Sequence, residues 1–236
     1  MTNPLLAART IVAFARIARD PNQLDVVFDL VDGFASDPAR AQDFELALAD
    51  PVVARAARER LRLPALTVGG LEAMSEGTLG HAAGRFFRAH GLDPADLPRR
   101  ESATDVEWLS AHLYETHDLW HVLTGFGPDV AGELGLQAFY AAQLEGPVAL
   151  AILAAGMMNT LIYAPHERRA RLDAISRGWQ MGVAARSLVG LDWGALLDVP
   201  LADVRRQLLI EPAWAASFTP NLRTDASFGD RRPSAA

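Results

Sequence analysis

The chain contains no cysteine, which excludes a disulfide framework and any metal site built on thiolate ligands. An excess of positive charge is also missing, because 22 basic residues stand against 29 acidic ones and the net charge is -7 at pH 7. Nucleic-acid-binding proteins usually present a basic surface, so we expect no nucleic-acid partner. The lack of cysteine is compatible with a cytoplasmic protein but does not require one.

Long hydrophobic runs and targeting signals are scarce as well. The N-terminus shows no charged segment followed by an apolar run and a cleavage site, so no signal peptide is evident. The segment from Pro147 to Tyr163 carries no charge, but Asn159 and Thr160 interrupt it, and a bilayer span needs about 20 apolar residues. We predict a central helix here that is buried, that lines a channel for a long hydrocarbon, or both.

The sequence shows no persistent strand-like alternation and no internal repeat, whereas helical patterns dominate it. Its 236 residues, half of them apolar, can bury a sizeable core. We therefore predict an all-α, single-domain fold over residues 1–218 and a flexible tail over residues 219–236. The predicted helices lie at residues 4–18, 23–33, 39–49, 52–61, 77–90, 105–124, 129–144, 147–163, 166–189 and 200–209. Residues 77–80 form the turn that opens the fifth of these helices, and residues 63–70 are predicted to form a loop.

The first predicted helix is amphipathic and bears arginines. Arg9 and Arg16 lie on one side of it, and the apolar residues that lie broadly opposite are Leu6, Ile11, Phe14 and Ile17. Two interpretations stay open for its apolar face. It docks on the protein core, or it enters a membrane surface while the arginines meet lipid headgroups.

The most informative motif is His117-Asp118-Leu119-Trp120-His121, which Glu133 follows after eleven further residues. Two histidines four residues apart lie on one face of a helix, and Asp118 lies about 100° round it from His117. Glu133 would approach from the next helix. Two imidazoles and two carboxylates suit zinc, iron, manganese or cobalt better than calcium or magnesium.

The residues around the motif predict the helices that carry it. Thr104 and Glu107 form a capping box at the start of the first helix. The run from Gly125 to Pro128 ends that helix and starts the next. The sequence therefore predicts a metal-binding helical hairpin, with the ion between its two arms.

The histidine motif by itself is compatible with more than one interpretation. Such a spacing also arises by chance. A zinc protease needs glutamate directly after the first histidine, where this chain has the shorter Asp118. A phosphohydrolase of the histidine-aspartate type needs further ligands on separate helices, and His81, His112 and His166 are available for that role.

These segments, taken in order, resemble the Coq4 family of coenzyme Q (ubiquinone) biosynthesis proteins. The family signature is His-Asp-x-x-His, eleven residues, Glu, and the match covers roughly residues 5–211. Gln137 departs from it, since many relatives would carry a basic residue there. The lack of a mitochondrial transit peptide favours a bacterial homologue. The matched positions are Gly77-Thr78-Leu79-Gly80, His117, Asp118, His121, Gly125, Gly132-Glu133, Trp179, Gly182 and Pro200 to Ile210.

The resemblance implies an all-helical peripheral membrane protein at the cytoplasmic face of the inner membrane. It implies work at ring carbon one of a polyprenylated hydroxybenzoate, where the carboxylate is lost and, in some accounts, a hydroxyl group is added. It also implies contacts with other ubiquinone-synthesis enzymes and leaves a homodimer open. An older view of the family is a scaffold that holds the lipid intermediate for partner enzymes.

Combined with the motif, this gives a metal-dependent lyase as the first hypothesis. His117, His121 and Glu133 are the expected ligands and catalytic residues, and Asp118 is either a fourth ligand or a group that orients a histidine. Zinc is the favoured ion, with iron, manganese and cobalt as alternatives. The second hypothesis is a lipid-binding scaffold with a structural metal, and the third is a metal hydrolase unrelated to quinones.

Overall fold

A computed structural model of the chain describes residues 4–21, 23, 26, 41–97, 99–100, 102–144 and 146–213, and these residues are mostly helical without a strand. The all-α prediction is thus confirmed for the described part of the chain. Single 3-10 turns occur at Pro94–Asp96 and Pro165–Glu167. The α-helices are α1 Pro4–Arg19, α2 Ala41–Leu48, α3 Pro51–Glu59, α4 Val68–Glu72, α5 Leu79–His90, α6 Asp105–Thr124, α7 Val130–Gln143, α8 Pro147–Ile162, α9 Arg168–Ala184, α10 Trp193–Leu196 and α11 Leu201–Leu208.

Helix α6 begins and ends where its local signals predict. The Glu107 N–H donates to Thr104 Oγ1 at 3.2 Å, and the Thr104 N–H donates to Glu107 Oε2 at 2.8 Å. These reciprocal bonds satisfy two backbone donors that a helix start leaves unpaired. Gly125 ends the helix with a φ of 77°, a conformation that glycine adopts without steric cost.

Two helix predictions need correction. The segment predicted as a loop at 63–70 contains the start of α4, because Thr67 Oγ1 accepts a bond from the Gly70 N–H at 3.1 Å and caps a short helix. The helix predicted to reach residue 189 ends at Ala184. Ala185 is extended, and the following Arg186 N–H donates to the Leu208 carbonyl at 2.9 Å, which draws the chain onto α11. The predicted helix at 23–33, apart from residues 23 and 26, and the tail at 219–236 lie outside the described residues.

Helix α7 lies at the centre of the bundle, with α8 and α9 packed against it. A Cβ atom at Gly178 of α9 would stand 1.8 Å from the Gly135 carbonyl oxygen of α7, so this contact tolerates only glycine. Trp120 of α6 packs its ring on Tyr140 of α7, at a centroid distance of 4.1 Å and an angle of 2°. These contacts fix α6 and α7 relative to each other and to the core.

The apolar side of α1 docks on the protein. Ile17 is 2% exposed and belongs to a small core cluster with Ala155 of α8, against which Phe14 also packs. The docking interpretation of these two residues is therefore confirmed. Ile11 and Val12, by contrast, point outward.

Helix α8 is not buried all round, so the prediction of a fully buried central helix is wrong. Ala155 and Gly156 face the core, whereas Leu150, Met158 and Leu161 are exposed. Because the seventeen residues of this segment are all uncharged, their sequence does not indicate which side of α8 a neighbouring helix covers. No single described helix is long and apolar enough to cross a membrane. Helix α8 reaches the required length and hydropathy only when it is counted together with Pro165–Ala184, and the chain bends by 113° between the two.

His112 is a core residue on the side of α6 that packs inward. Its ring is 1% exposed and stacks on Trp108 at 4.9 Å, and its Nε2 accepts a bond from the Gly190 N–H at 3.3 Å. Burial penalises the charged imidazolium and lowers the pKa of His112 to about 4.

This buried imidazole predicts a pH-dependent stability. In the unfolded chain His112 has its ordinary pKa of 6.5, so as the pH falls the unfolded state takes up the proton first. The contribution of His112 is complete above pH 6.5 and is lost as the pH falls toward 4, by on the order of 3 kcal/mol. Urea unfolding at pH 7 and pH 5 should show a smaller difference for His112→Phe than for the wild type. An equal difference in both proteins, with exposed His166→Phe as control, would contradict the assignment.

Candidate metal centre

The last turns of α6 and the first turn of α7 bring the motif together. Asp129 Oδ1 accepts bonds from the N–H groups of Ala131 and Gly132 at 2.9 and 3.1 Å, which starts α7 directly after the turn. A Cβ atom at Gly132 would stand 2.0 Å from the Gly127 carbonyl oxygen. Glycine therefore lets the turn close tightly, and Glu133 arrives opposite the histidines of α6.

Three potential ligands converge on one point. His121 Nε2 lies 3.3 Å from His117 Nε2 and 3.1 Å from Glu133 Oε1, and His117 Nε2 lies 3.6 Å from Glu133 Oε2. Nitrogen and oxygen ligands of a tetrahedral ion at 2.0–2.1 Å stand about 3.4 Å apart. The spacing therefore fits a single divalent ion without rearrangement of the side chains.

Asp118 lies beside the two histidines. One ligand atom each from His117, Asp118 and His121 can be chosen so that all three fall within 4.8 Å of one another. The structure thus places Asp118 beside the two histidines and, separately, Glu133 at 3.1–3.6 Å from them. Their action as metal ligands stays a prediction, as does the choice between ligand and orienting group for Asp118.

Hydrogen bonds on the far side of each imidazole turn its Nε2 toward the site. The Phe126 carbonyl can only accept, so His121 Nδ1–H donates to it at 3.1 Å and directs Nε2 toward Glu133 and His117. His117 Nδ1 lies 3.4 Å from the Tyr140 hydroxyl, whose ring packs on the imidazole at a centroid distance of 5.9 Å. Such outer contacts are typical of metal-binding histidines, because they fix the ring and its tautomer.

The charges of the site are coupled. Burial opposes the ionised form of Glu133, but hydrogen bonds from His117 and His121 outweigh it and hold the pKa of this carboxyl far below its usual range. Burial likewise opposes protonated His117, yet the bond and charge of Glu133 raise the pKa of that imidazole. Burial, then the negative charges of Glu133 and Asp118, raise the pKa of Tyr140 well above its usual value. Glu133 is therefore a carboxylate and Tyr140 a neutral phenol at pH 7.

The site is open on one side and closed on the other. The side chains of His117 and Glu133 are 32% and 33% exposed, whereas that of His121 is 1% exposed. Phe86 of α5 stacks against His121 at a centroid distance of 5.7 Å and an angle of 18°. A ligand therefore has access past His117 and Glu133, while an aromatic wall closes the side at His121.

The sequence pattern contains a signal for part of this surrounding shell. Tyr140 shares one face of its helix with Glu133, at a spacing of seven residues, so its place near the site could be read from the pattern. Phe86 gave no such signal, because it lies on a separate helix far away in sequence. The Phe126 contact is made by the backbone, which no side-chain pattern reveals.

The additional histidines do not join the site. His112 is engaged with Trp108 and Gly190, and His166 lies on the surface beside Glu167. His81 lies on α5 and is not part of the cluster of possible metal ligands. Among the described residues, the single cluster that could hold a metal is the one that includes His117, Asp118 and His121. The ligand set that a phosphohydrolase of the histidine-aspartate type requires is therefore not assembled in the described part of the chain.

Replacement of the central histidine predicts loss of the ion. His121→Ala should abolish stoichiometric metal binding, because it removes the donor that lies closest to both of the others. Elemental analysis of the purified protein measures this, with surface His166→Ala as matched control. Asp118→Asn should lose the ion too if Asp118 is a ligand, and should retain it if Asp118 orients a histidine. Full metal content in His121→Ala would show that the ion binds at another site.

The contact between Tyr140 and His117 predicts a smaller effect. Tyr140→Phe keeps the ring that packs on the imidazole and removes the oxygen that lies 3.4 Å from Nδ1. We expect metal affinity to fall by about tenfold, the lower end of the effect of such outer partners. Competition with a fluorescent chelator measures this affinity, and exposed Tyr163→Phe is the control. Equal affinities in the two variants would show that the hydroxyl does not orient His117.

The part of the chain that carries these residues is similar in sequence to known proteins. The model of the family described as "Coenzyme Q (ubiquinone) biosynthesis protein Coq4" matches residues 35–213. Among curated relatives, the mitochondrial ubiquinone biosynthesis protein COQ4 of Coccidioides immitis is 27% identical over 171 residues, which are 70% of this chain and 58% of that protein. That of Yarrowia lipolytica is 28% identical over 174 residues, 71% of this chain and 64% of that protein. The chain thus spans less than two thirds of these relatives.

A solved structure supports the same relationship. The crystal structure of a protein from Nostoc punctiforme PCC 73102, provisionally assigned to ubiquinone biosynthesis, aligns with a TM-score of 0.75 and 29% identity. The alignment covers 86% of this chain and 97% of that one. Since the family model also matches well over half of the sequence, the chain belongs to the Coq4 family of coenzyme Q (ubiquinone) biosynthesis proteins.

Proposed function

We propose that this protein acts in ubiquinone biosynthesis as a metal-dependent lyase. It removes the carboxylate from ring carbon one of a polyprenylated hydroxybenzoate. The observation that carries the proposal is the convergence of His117, His121 and Glu133 at 3.1–3.6 Å on a site with one open side. Family membership supplies the substrate class, and the donor set supplies the chemistry.

The side chains have separate tasks in this reaction. His117, His121 and Glu133 would hold a divalent ion, which when bound supplies positive charge for the substrate carboxylate or phenolate and for the charge that develops as carbon dioxide leaves. Phe86 closes the side at His121 and excludes water there. The neutral Tyr140 hydroxyl positions His117 and adds no negative charge to a site that receives an anion.

The exposure of the ligands favours catalysis over a purely structural metal. A structural zinc site is closed by four protein ligands, whereas a catalytic one keeps a position for water or substrate. Here His117 and Glu133 remain about one third exposed, on the side where a substrate would approach. A scaffold that holds the lipid for partner enzymes is the alternative, and it would not need this access.

The donor set also bears on the identity of the ion. Two imidazoles and one carboxylate on one side of an open site are the arrangement of non-haem iron(II) oxygenases. With iron at the site, dioxygen as oxidant and an external two-electron reductant, loss of carbon dioxide would be coupled to hydroxylation, with one oxygen atom entering the ring and the other leaving as water. Zinc, the ion that the sequence favours, would act through its charge alone, and a proton would replace the lost carboxylate on the ring carbon. We keep zinc, iron, manganese and cobalt as candidates, and the number of oxygen ligands depends on Asp118.

Location and partners form part of the proposal. The polyprenyl tail of such a substrate partitions into lipid, so an enzyme that handles it works at a membrane surface. We place this protein peripherally at the cytoplasmic face of the inner membrane, with other ubiquinone-synthesis enzymes as partners and a homodimer as an open state. A cytoplasmic location is the alternative.

A turnover assay tests the proposal. Purified protein is stripped with a chelator, reloaded with one ion at a time, and incubated with a short-chain prenylated hydroxybenzoate while carbon dioxide is measured. Stripped protein and Glu133→Gln should lose at least about 100-fold in rate, because the ion supplies several kcal/mol of charge stabilisation. Glu167→Gln, on the surface, is the matched control.

The outcomes separate the hypotheses. Carbon dioxide release without oxygen indicates a reaction that depends on charge alone, and a requirement for iron and oxygen indicates oxidative decarboxylation. Retention of the prenylated ligand without any carbon dioxide under all metal conditions would support the scaffold and contradict the lyase. Equal rates in stripped and loaded protein would contradict the role of the metal.

A further inference from the structure

The outer side of α8 is an uninterrupted apolar stripe. Leu150 is 59% exposed, Met158 40%, Leu161 74% and Ile162 56%, and Ala154 fills the space between the first two. At 100° per residue these five side chains fall within an arc of about 120°. No charged residue occurs along the helix. Isolated apolar side chains are common on protein surfaces, but a continuous stripe usually marks an interaction site.

The stripe cannot rotate inward, because the opposite side of α8 is fixed. A Cβ atom at Gly156 would stand 2.3 Å from a methyl group of Leu134, so the two helices touch there. Arg171 of α9, itself buried, donates from Nη1 to Asn159 Oδ1 at 2.8 Å and to Thr160 Oγ1 at 2.9 Å. These polar bonds inside the fold hold α8 in its rotation about its own axis.

Positive charge gathers at the C-terminal end of the stripe. Arg168 and Arg169 begin α9, after the 3-10 turn that follows α8, and are exposed. The Asn159 amide donates to the Arg19 carbonyl at 3.3 Å, which brings the exposed Arg19 at the end of α1 to the same end. Glu167 is the single acidic residue in the sequence from 163 to 172. A chain with a net charge of -7 thus carries a local cluster of three arginines, Arg19, Arg168 and Arg169, beside its apolar stripe.

We propose that the stripe of α8 and this arginine cluster form a docking surface for an anionic phospholipid bilayer. Helix α8 is about 24 Å long, which is too short to cross a bilayer. It would lie in the membrane–water interface with its apolar side among the acyl chains. Tyr163 at its end is an interfacial aromatic residue, half exposed. Anionic headgroups would neutralise the three arginines of the cluster.

A second copy of the chain fits this surface less well. A symmetric dimer through the same stripe would place the arginine cluster of each protomer at the rim of the contact and supply no acidic cluster from the stripe to meet it. The docking surface also replaces the one expected on α1, whose Phe14 and Ile17 are packed against α8. It extends the proposed function, since a lipid-tailed substrate would enter from the bilayer.

Vesicle binding tests the surface without any turnover. Co-sedimentation of the whole chain is titrated with phosphatidylcholine vesicles that contain or lack phosphatidylglycerol. Leu150→Asp with Leu161→Asp should weaken binding at least tenfold on vesicles that contain phosphatidylglycerol, and Arg168→Gln with Arg169→Gln should remove most of the preference for them. Leu46→Asp, half exposed on α2, adds a charge away from α8 and should bind as the wild type does.

Three readouts keep this test decisive. Circular dichroism and metal content should be unchanged in every variant, because the altered side chains are exposed. Turnover of a water-soluble short-chain substrate should also be unchanged, so failure of the lyase proposal would not affect the result. Unaltered vesicle binding by the Leu150→Asp and Leu161→Asp variant would overturn the proposal. So would a wild type that is dimeric in lipid-free sedimentation and a stripe variant that is monomeric, since the stripe would then be a protein interface.

Discussion

The site depends on one contact between two helices, the meeting of the α6 imidazoles with the α7 carboxylate. His121 is buried, and its Nε2 lies 3.1 Å from Glu133, so neither group is left without a polar partner. The tight turn that begins at Gly125 makes this contact possible, since any side chain at Gly132 would strike the backbone of Gly127. Such an arrangement places a carboxylate and two imidazole nitrogens where a divalent ion would join them.

The rest of the bundle serves to hold that turn. Trp120 and Tyr140 stack across α6 and α7, and α9 presses on the back of α7 where Gly178 meets Gly135. The Tyr140 hydroxyl reaches His117 from within this core. Tyr140 therefore has two roles, because its buried ring is part of the core and its hydroxyl oxygen contacts a residue of the site. A precise site on rigid helices follows from this arrangement.

Local signals in the sequence predict the hairpin, because they act within one or two turns. The Thr104 capping box, the glycine at 125 and the four-residue spacing of His117 and His121 each determine structure close to themselves. Features that depend on distant neighbours were not predictable. The covered side of α8 depends on Leu134 and Ile17, and the aromatic wall depends on Phe86 of α5. Uniform apolar composition, as in α8, contains no information about which side meets solvent.

Direct observation of the ion tests the central claim that His117, His121 and Glu133 hold one metal. Crystals of the purified protein, with diffraction recorded on both sides of the absorption edge of the metal found by elemental analysis, would locate it. We predict one anomalous peak per chain, about 2.0–2.2 Å from both Nε2 atoms and from a Glu133 oxygen. A peak at another site, or none at this one in protein with a full equivalent of metal, would contradict the assignment.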